Sequence, residues 1–368
     1  MVKFPSEQIS DRSGSYLESV AMPELSDSLI ATKGTQPGVS VRRKRRVVKR
    51  DGLRALKQSG PAAALLLLCV GFSLATPKFA TIENLQTLLE TSAVPLLLAV
   101  GITFVVIQGS IDLSVEGITA AVSMSLSLLV ANGVNTNNLG LTGVLIALLV
   151  GLIFGLGNGL IYVFGRLPSL IVTLGSWFVG LGLATLLFPQ RLPQIRDRLV
   201  IDLALNRFWG LSPITYIALF VVAGAHILLK YTEFGRMTYA IGGDESVAQA
   251  SGIKVWRYKV LAFCFSGLLA AVSGIFLTAQ LGYGEANTGE GMLFPAISAA
   301  VVGGTLLSGG RGGAFQTTIG VLILAVLTNG MIQIGAGPYT RQIIEGAAII
   351  VAVAAGNWHL RSKLRVVK

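Results

Sequence analysis

The sequence predicts an all-α fold: a polytopic integral membrane protein of about ten transmembrane helices with a possible five-plus-five inverted repeat. Three observations predict it. The 368 residues are 52% hydrophobic and 13% charged, about half the roughly 25% charge of ordinary soluble domains. Ten apolar stretches recur along the chain, separated by short polar segments. The formal charge of +11 is concentrated at the ends: Arg42, Arg43, Lys44, Arg45, Arg46, Lys49 and Arg50 precede the first stretch, and Arg361, Lys363, Arg365 and Lys368 follow the last. Basic segments flanking apolar spans mark the cytoplasmic side, so both termini are expected there.

Residues 1–57 are rich in Ser, Gly and charge without sustained helix or strand period, and read as a disordered basic cytoplasmic tail. Anionic membrane lipid is the partner this charge suits; nucleic acid is not expected, since no aromatic or folded element supports it. Residues 58–358 form the transmembrane domain, with apolar stretches at 61–76, 86–107, 112–131, 141–164, 169–188, 211–230, 259–281, 293–307, 314–333 and 341–357. The stretches at 61 and 293 are short for a crossing and are the two expected to tilt or re-enter. The first lies behind a long polar tail, so it reads as a retained anchor rather than a cleavable signal peptide. Residues 359–368 form a basic cytoplasmic end.

An N-terminus inside makes the loops after spans two, four, six and eight cytoplasmic. Arg166 follows span four, Lys230, Arg236, Lys254, Arg257 and Lys259 surround the loop after span six, and Arg311 follows span eight, all in agreement. The loop after span seven carries Glu285 and Glu290 instead. Residues 189–210, placed outside, run against the bias with Arg191, Arg196, Arg198 and Arg207 facing Asp197 and Asp202. Ten spans divide as five plus five, and an odd number per half inverts the second half. Gly157-Asn158-Gly159-Leu160-Ile161 and Thr328-Asn329-Gly330-Met331-Ile332 are a faint trace of such a repeat, although chance matches are common in a chain this rich in Gly and Leu.

Ten spans of about 20 residues use roughly 200 residues, which with the tail leaves too little for a fused ATPase or soluble catalytic domain. His226 and His359 are far apart with no ligand-spaced neighbours, and no Gly-Lys-Ser/Thr triplet offers a phosphate loop. Cys69 and Cys264 fall in apolar stretches as packing residues. The chain is therefore not expected to be an enzyme, and the residues call for no metal or cofactor.

The most informative polar stretch is Gln108-Gly109-Ser110-Ile111-Asp112-Leu113-Ser114-Val115-Glu116-Gly117, which leaves almost no room for a loop between two spans. Intramembrane carboxylates face a protein interior or watery cavity, which makes Asp112 a functional candidate. A second reading has Asp112 or Ser114 capping the helix from 115 onward. The two are compatible if the broken helix lines a path. Glu116, four residues on, shares a face with Asp112 if both are helical, and the pair could alternatively form a proton relay.

The loop after span six, Phe234 to Ile253, encodes a short helix. Asp244 can be its N-cap, Glu245 complements the N-terminal dipole, and Gly252 can close it in the left-handed conformation. A seven-residue helix is marginal in water, so it needs a surface, either this protein's own membrane face or a partner.

At these residues the chain resembles the permease subunits of ribose-type monosaccharide ABC importers. The resemblance covers about 60–357 and includes Gly109 to Val115, Ile171-Val172-Thr173-Leu174-Gly175, Gly235-Arg236 with Ala240-Ile241-Gly242-Gly243, Ser251-Gly252-Ile253, Ala299 to Thr305 and Gly309-Gly310-Arg311-Gly312. It implies a multi-pass subunit of the bacterial cytoplasmic (inner) membrane, working by alternating access. The partners it implies are a separate ABC ATPase subunit, an extracytoplasmic sugar-binding protein, and a second permease copy or sister permease.

It further implies that the loop 232–258 is the ATPase-coupling loop, with Gly235, Arg236, Asp244, Glu245, Ala248, Ser251 and Gly252 as its residues. Ala248 to Gly252 has the family's Ala-x-x-x-Gly spacing, although Ser246-Val247 replace the usual Glu-Ala. Leu293-Phe294-Pro295 stand where the family carries Glu-Leu-Asp, and Glu116 stands where Gly is common.

A sugar pathway needs sparse neutral polar groups among apolar walls. Gln108, Asp112, Ser114, Asn158, Thr173, Gln280 and Asn329 are the candidates, each of which could instead satisfy helix–helix hydrogen bonds. Rival readings are another solute on the same architecture (a nucleoside, a sugar-derived signal or an amino acid), an ion-coupled carrier using Asp112 or Glu116, and a non-transporting scaffold.

Overall fold

The computed structural model describes residues 60–357, so the N-terminal tail and the basic C-terminal end lie outside the described residues. Every extended regular element among the described residues is a helix. Helix α1 (Gly60–Ala75) is apolar all round and lays Phe72 on Phe79, ring centroids 5.6 Å apart. Helix α2 (Ile82–Ile107) starts four residues before its apolar stretch because Thr81 caps it, accepting from Asn84 N at 3.3 Å. Helix α2 is the central post of the bundle: Leu97, Ala99, Val100, Ile102 and Ile107 are wholly buried. Helix α3 (Val115–Leu129) is buried almost throughout.

Helix α4 (Leu141–Phe164) has two faces. Leu145, Leu149, Ile153, Leu156 and Leu160 point outward, as suits a lipid-facing surface, while Gly143, Ala147, Gly151, Gly155 and Gly159 form a buried stripe at every fourth residue. That stripe lets the backbone of helix α10 (Val255–Leu281) approach until a Cβ at Gly155 would overlap the Phe263 carbonyl. Small residues permit such contacts where lipid supplies no hydrophobic drive. Helix α5 (Ser169–Leu187) packs on α3, with Gly180 against Gly117.

Helix α6 (Arg198–Leu205) was not expected. Asp197 caps it, accepting from Leu199 N at 2.9 Å and Val200 N at 3.3 Å, and Val200 anchors it in the core. Its surroundings account for two arginines of the loop that opposes the charge bias. Arg207 pairs with Glu90, and Arg196 lies over Gly133.

Helix α7 (Pro213–Tyr231) opens with proline at its first position, where no N–H partner is lost. Helices α8 (Glu233–Gly243) and α9 (Glu245–Ala250) fill the loop before α10. Helix α11 (Leu293–Val302) spans ten residues, about 15 Å at 1.5 Å per residue, half of a roughly 30 Å hydrocarbon core. The stretch 293–307 is thus not one continuous helix: the chain turns at Gly303 and Gly304. Helices α12 (Ala314–Gln333) and α13 (Pro338–Asn357) complete the bundle.

Six of these helices, α2, α4, α5, α7, α10 and α12, are long and apolar enough to cross a membrane, and α1, α3 and α11 are shorter apolar helices. The architecture is that of a polytopic membrane protein.

Candidate functional site: a polar break and an exposed helix

Helix α2 ends at Ile107 and α3 begins at Val115, so residues 108–114 form a seven-residue break inside the bundle. Gln108, Ser110, Asp112 and Ser114 are all buried in it. Buried polar groups require partners, and most of these have them. Gln108 Nε2 donates to the Tyr258 carbonyl at 3.0 Å and to Thr238 Oγ1 at 3.2 Å. Asn158 Nδ2 of α4 donates to Ser114 Oγ at 2.9 Å, and Ser114 Oγ in turn donates to Asp112 Oδ1 at 2.5 Å. Thr173 of α5 reaches the Ile111 carbonyl at 3.4 Å while its main bond, 2.9 Å, goes back to Ser169.

Five of the seven predicted pathway residues therefore converge on one break. Gln280 does not join them: it is exposed near the end of α10. Asn329 lies elsewhere too, donating to Asn84 Oδ1 at 3.0 Å near the start of α2.

The capping expectation is corrected in detail. Ser114 occupies the N-cap position of α3, but its side chain makes no cap bond; Asp112 Oδ1 instead accepts from Ser114 N at 2.9 Å in a local turn. Asp112 Oδ2 has no partner although the residue is 1% exposed, and the buried Ser266 hydroxyl of α10 faces this carboxylate without a partner of its own. The oxygen and the hydroxyl lie opposite one another inside the bundle without meeting hydrogen-bond geometry.

Asp112 precedes the helix, so it does not share a helical face with Glu116. Glu116 Oε1 accepts from Leu293 N at 2.7 Å, at the start of α11. The two sites where the sequence departs from the importer pattern, Glu116 and Leu293, are therefore direct neighbours.

The second polar interruption holds two helices: α9 with its Asp244 cap was expected from the residues, and α8 was not. Thr232 caps α8, accepting from Gly235 N at 3.3 Å. Asp244 caps α9, accepting from Ser246 N at 3.0 Å and Val247 N at 3.1 Å. The Ser246 hydroxyl, bonded at 2.6 Å, and these backbone donors hold the exposed Asp244 carboxyl below the usual carboxylate range. Gly252 turns the chain with φ +82°, a conformation that suits glycine. Helix α9 buries only Ala248, while Glu245, Val247 and Ser251 stay outside. Arg236 is exposed, and Gly235 is buried against Leu229. Burial pushes the Tyr239 hydroxyl of α8 up, and it donates to the Gly312 carbonyl at 2.7 Å.

A family model described as a branched-chain amino acid transport system permease component matches residues 84–353. The ribose import permease protein RbsC of Bacillus subtilis (strain 168) is 35% identical over 314 residues, covering 82% of this chain and 93% of its own length. The chain belongs to this ABC importer permease family. The probable ABC transporter permease protein YphD of Escherichia coli (strain K12) is 36% identical over 304 residues, 82% of this chain and 90% of its own. The galactose/methyl galactoside import permease protein MglC of the same strain is 32% identical over 325 residues, 83% and 96%. No solved structure matches the chain.

Reading the sequence alone missed two residues that this permease places between its polar regions, Tyr162 and Lys259. Lys259 is 6% exposed and pairs with Glu245, Nζ to Oε1 2.6 Å. A lysine four residues into an apolar helix is the signal that could have found it, because such a charge is not buried without a partner.

Proposed function

We propose that the chain forms, as a homodimer or with a sister permease, the membrane path of a bacterial ABC importer for a monosaccharide of the ribose type. It works by alternating access in the cytoplasmic membrane. Ten crossings in a five-plus-five inverted arrangement, with both termini cytoplasmic, are part of this reading, and the basic ends support the orientation. A separate ATPase subunit docks on the loop 232–258 through α9, and an extracytoplasmic binding protein delivers the sugar.

The observation that carries the reading is the break at 108–114, where a buried carboxylate keeps one oxygen without a hydrogen-bond partner among neutral hydroxyls and amides. A sugar hydroxyl can donate to Asp112 Oδ2 and accept from Ser266, while Gln108, Ser114, Asn158 and Thr173 shape the surrounding polar wall. An amino acid would bring a carboxylate that needs a free cation. The neighbouring Lys259 is already committed to Glu245. The relatives named for ribose and for galactose support the sugar class; Gln280 and Asn329 would serve this path at its outer reaches. Helix α9, with one buried residue, is short of contacts and gains them from a partner.

The test is co-purification of a nucleotide-binding subunit with the detergent-solubilised permease, comparing wild type with Gly252→Asp. Wild type should retain an ATPase. The variant, forced into a left-handed conformation with a bulkier side chain and an added charge, should lose it while the bundle still folds. A wild-type chain that retains no ATPase under several mild conditions would sink the reading, and uptake should then be tested for sensitivity to a protonophore through Asp112 and Glu116.

A further inference from the structure

Between the exposed helix α9 and the polar break runs a continuous chain of hydrogen-bonding groups. It starts at Glu245, the first residue of α9, whose two carboxylate oxygens accept from Lys259 Nζ at 2.6 and 2.7 Å. Lys259 Nζ also donates to the Tyr162 hydroxyl oxygen of α4 at 2.8 Å and lies 4.6 Å from that ring's centroid. Ser110, in the break, donates to the same Tyr162 oxygen at 3.0 Å. A parallel strand ties Gln108 to the Tyr258 carbonyl, beside Lys259, and to Thr238 of α8.

The asymmetry of burial gives this chain a direction. The Glu245 side chain is half exposed, whereas that of Lys259 is 7% exposed. Separating a buried ion pair leaves an uncompensated charge in a medium that solvates it poorly. Moving α9 away from α10 while Lys259 stays in place therefore strands the buried end of the pair, the lysine ammonium. Lysine carries its ammonium on a long rotatable stem, so the charge can follow Glu245. When it does, the Tyr162 oxygen loses one of its two donors, and Ser110 loses a fixed acceptor two residues before Asp112.

We propose that Lys259 and Tyr162 are positioning residues that tie α9 to the break, so that displacement of α9 by a docked partner re-aims Asp112. The inference rests on α9 being the ATPase-docking element. The physical tie, however, belongs to this chain and can be tested without the partner.

The experiment is hydrogen exchange on the full chain in lipid nanodiscs, following peptides over 108–114 and 245–250, with the α2 core over 96–105 as the folding control. Tyr162→Phe removes one oxygen and no other atom. It should raise exchange at both 108–114 and 245–250 by at least fivefold and leave the α2 core unchanged. Glu245→Gln should raise exchange at 108–114 in the wild-type background and add little in the Tyr162→Phe background, because linked groups are not additive.

Unchanged exchange at 108–114 in Tyr162→Phe, additive effects of the two changes, or equal loosening of the α2 core would each overturn the tie. In a reconstituted importer supplied with D-ribose, Tyr162→Phe should keep its ATPase bound yet hydrolyse at least fivefold more ATP per sugar taken up; an unchanged ratio overturns the transmission role. Failure of wild type to bind an ATPase would sink the docking reading while leaving the exchange result standing.

Discussion

The break at 108–114 and the loop at 232–254 are both polar interruptions between apolar helices, and they satisfy their polar groups in opposite ways. In the break, side chains bond to one another and to backbone across four helices, with Asn158, Ser114 and Asp112 in series. In the loop, the bonds that form the helices are to the adjacent backbone, where Thr232 and Asp244 each cap the helix that follows, while Thr238, Tyr239 and Glu245 reach beyond it. The first arrangement is long-range and fixes where α2, α3, α4 and α10 meet. The second is local and leaves α9 on the outside. Polarity buried in a bundle thus specifies packing, whereas polarity on an exposed loop builds a small ordered element available to a partner.

The largest effect is expected where the two regions touch. Gly242, at the end of α8, lies against the Ile107 carbonyl, the last residue before the break, and any Cβ there would overlap that oxygen. Gly242→Val should cost about 3 kcal/mol or more, as overpacking of a rigid contact does. The measurement is folded chain per cell together with the thermal midpoint in detergent. A variant as stable as wild type would show that the regions are not in tight register.

A smaller effect separates the two roles of the break. Ser114→Ala strands the Asn158 amide and removes a donor from Asp112 Oδ1, at a cost of about 1–3 kcal/mol for groups left without partners. Asp112→Asn keeps an acceptor at Oδ1 and should destabilise less, yet reduce D-ribose uptake at least tenfold by removing the charge. If Asp112→Asn transports normally, the carboxylate is a packing group and the comparison reduces to structure alone.

Much of this was legible in the residues, for reasons that differ by region. Each of the ten apolar stretches contains one helix, because a run of apolar residues in lipid has few alternatives to helix. The α9 cap was legible because Asp244, Ser246 and Gly252 act within a few residues of one another. Helix α8 was not, since Gly235, Gly242 and Gly243 lower its propensity, and it is held by contacts with α2 and with Gly312 that sequence spacing does not reveal. Helix α6 is short, and its Asp197 cap lies in a segment that reads as a charged loop. The convergence of Asn158 and Thr173 on the break depends on how α4 and α5 cross α3. The pairings of Tyr162 and Lys259 were hidden for the same reason: their partners lie 52 and 14 residues away in sequence.

The smallest effect concerns the local side of the comparison and depends on pH. Asp244 has its carboxyl held below the ordinary value by the Ser246 hydroxyl and the backbone N–H groups it caps, so the folded loop binds a proton less readily than the unfolded chain does. The capping contribution is then fully present above the ordinary aspartate value of about 3.9. It declines as pH falls below that value and is lost as pH passes through the lower folded value. Protection factors for 245–250 should be constant from about pH 7 to 5 and drop below about pH 4. Asn caps helices as Asp does but does not titrate, so Asp244→Asn should keep α9 protected and abolish this pH dependence. Equal protection in wild type at about pH 6 and pH 3 would show that α9 is held by Glu245 and Ala248 alone. The exposed helix would then owe its order to the same long-range contacts that organise the break.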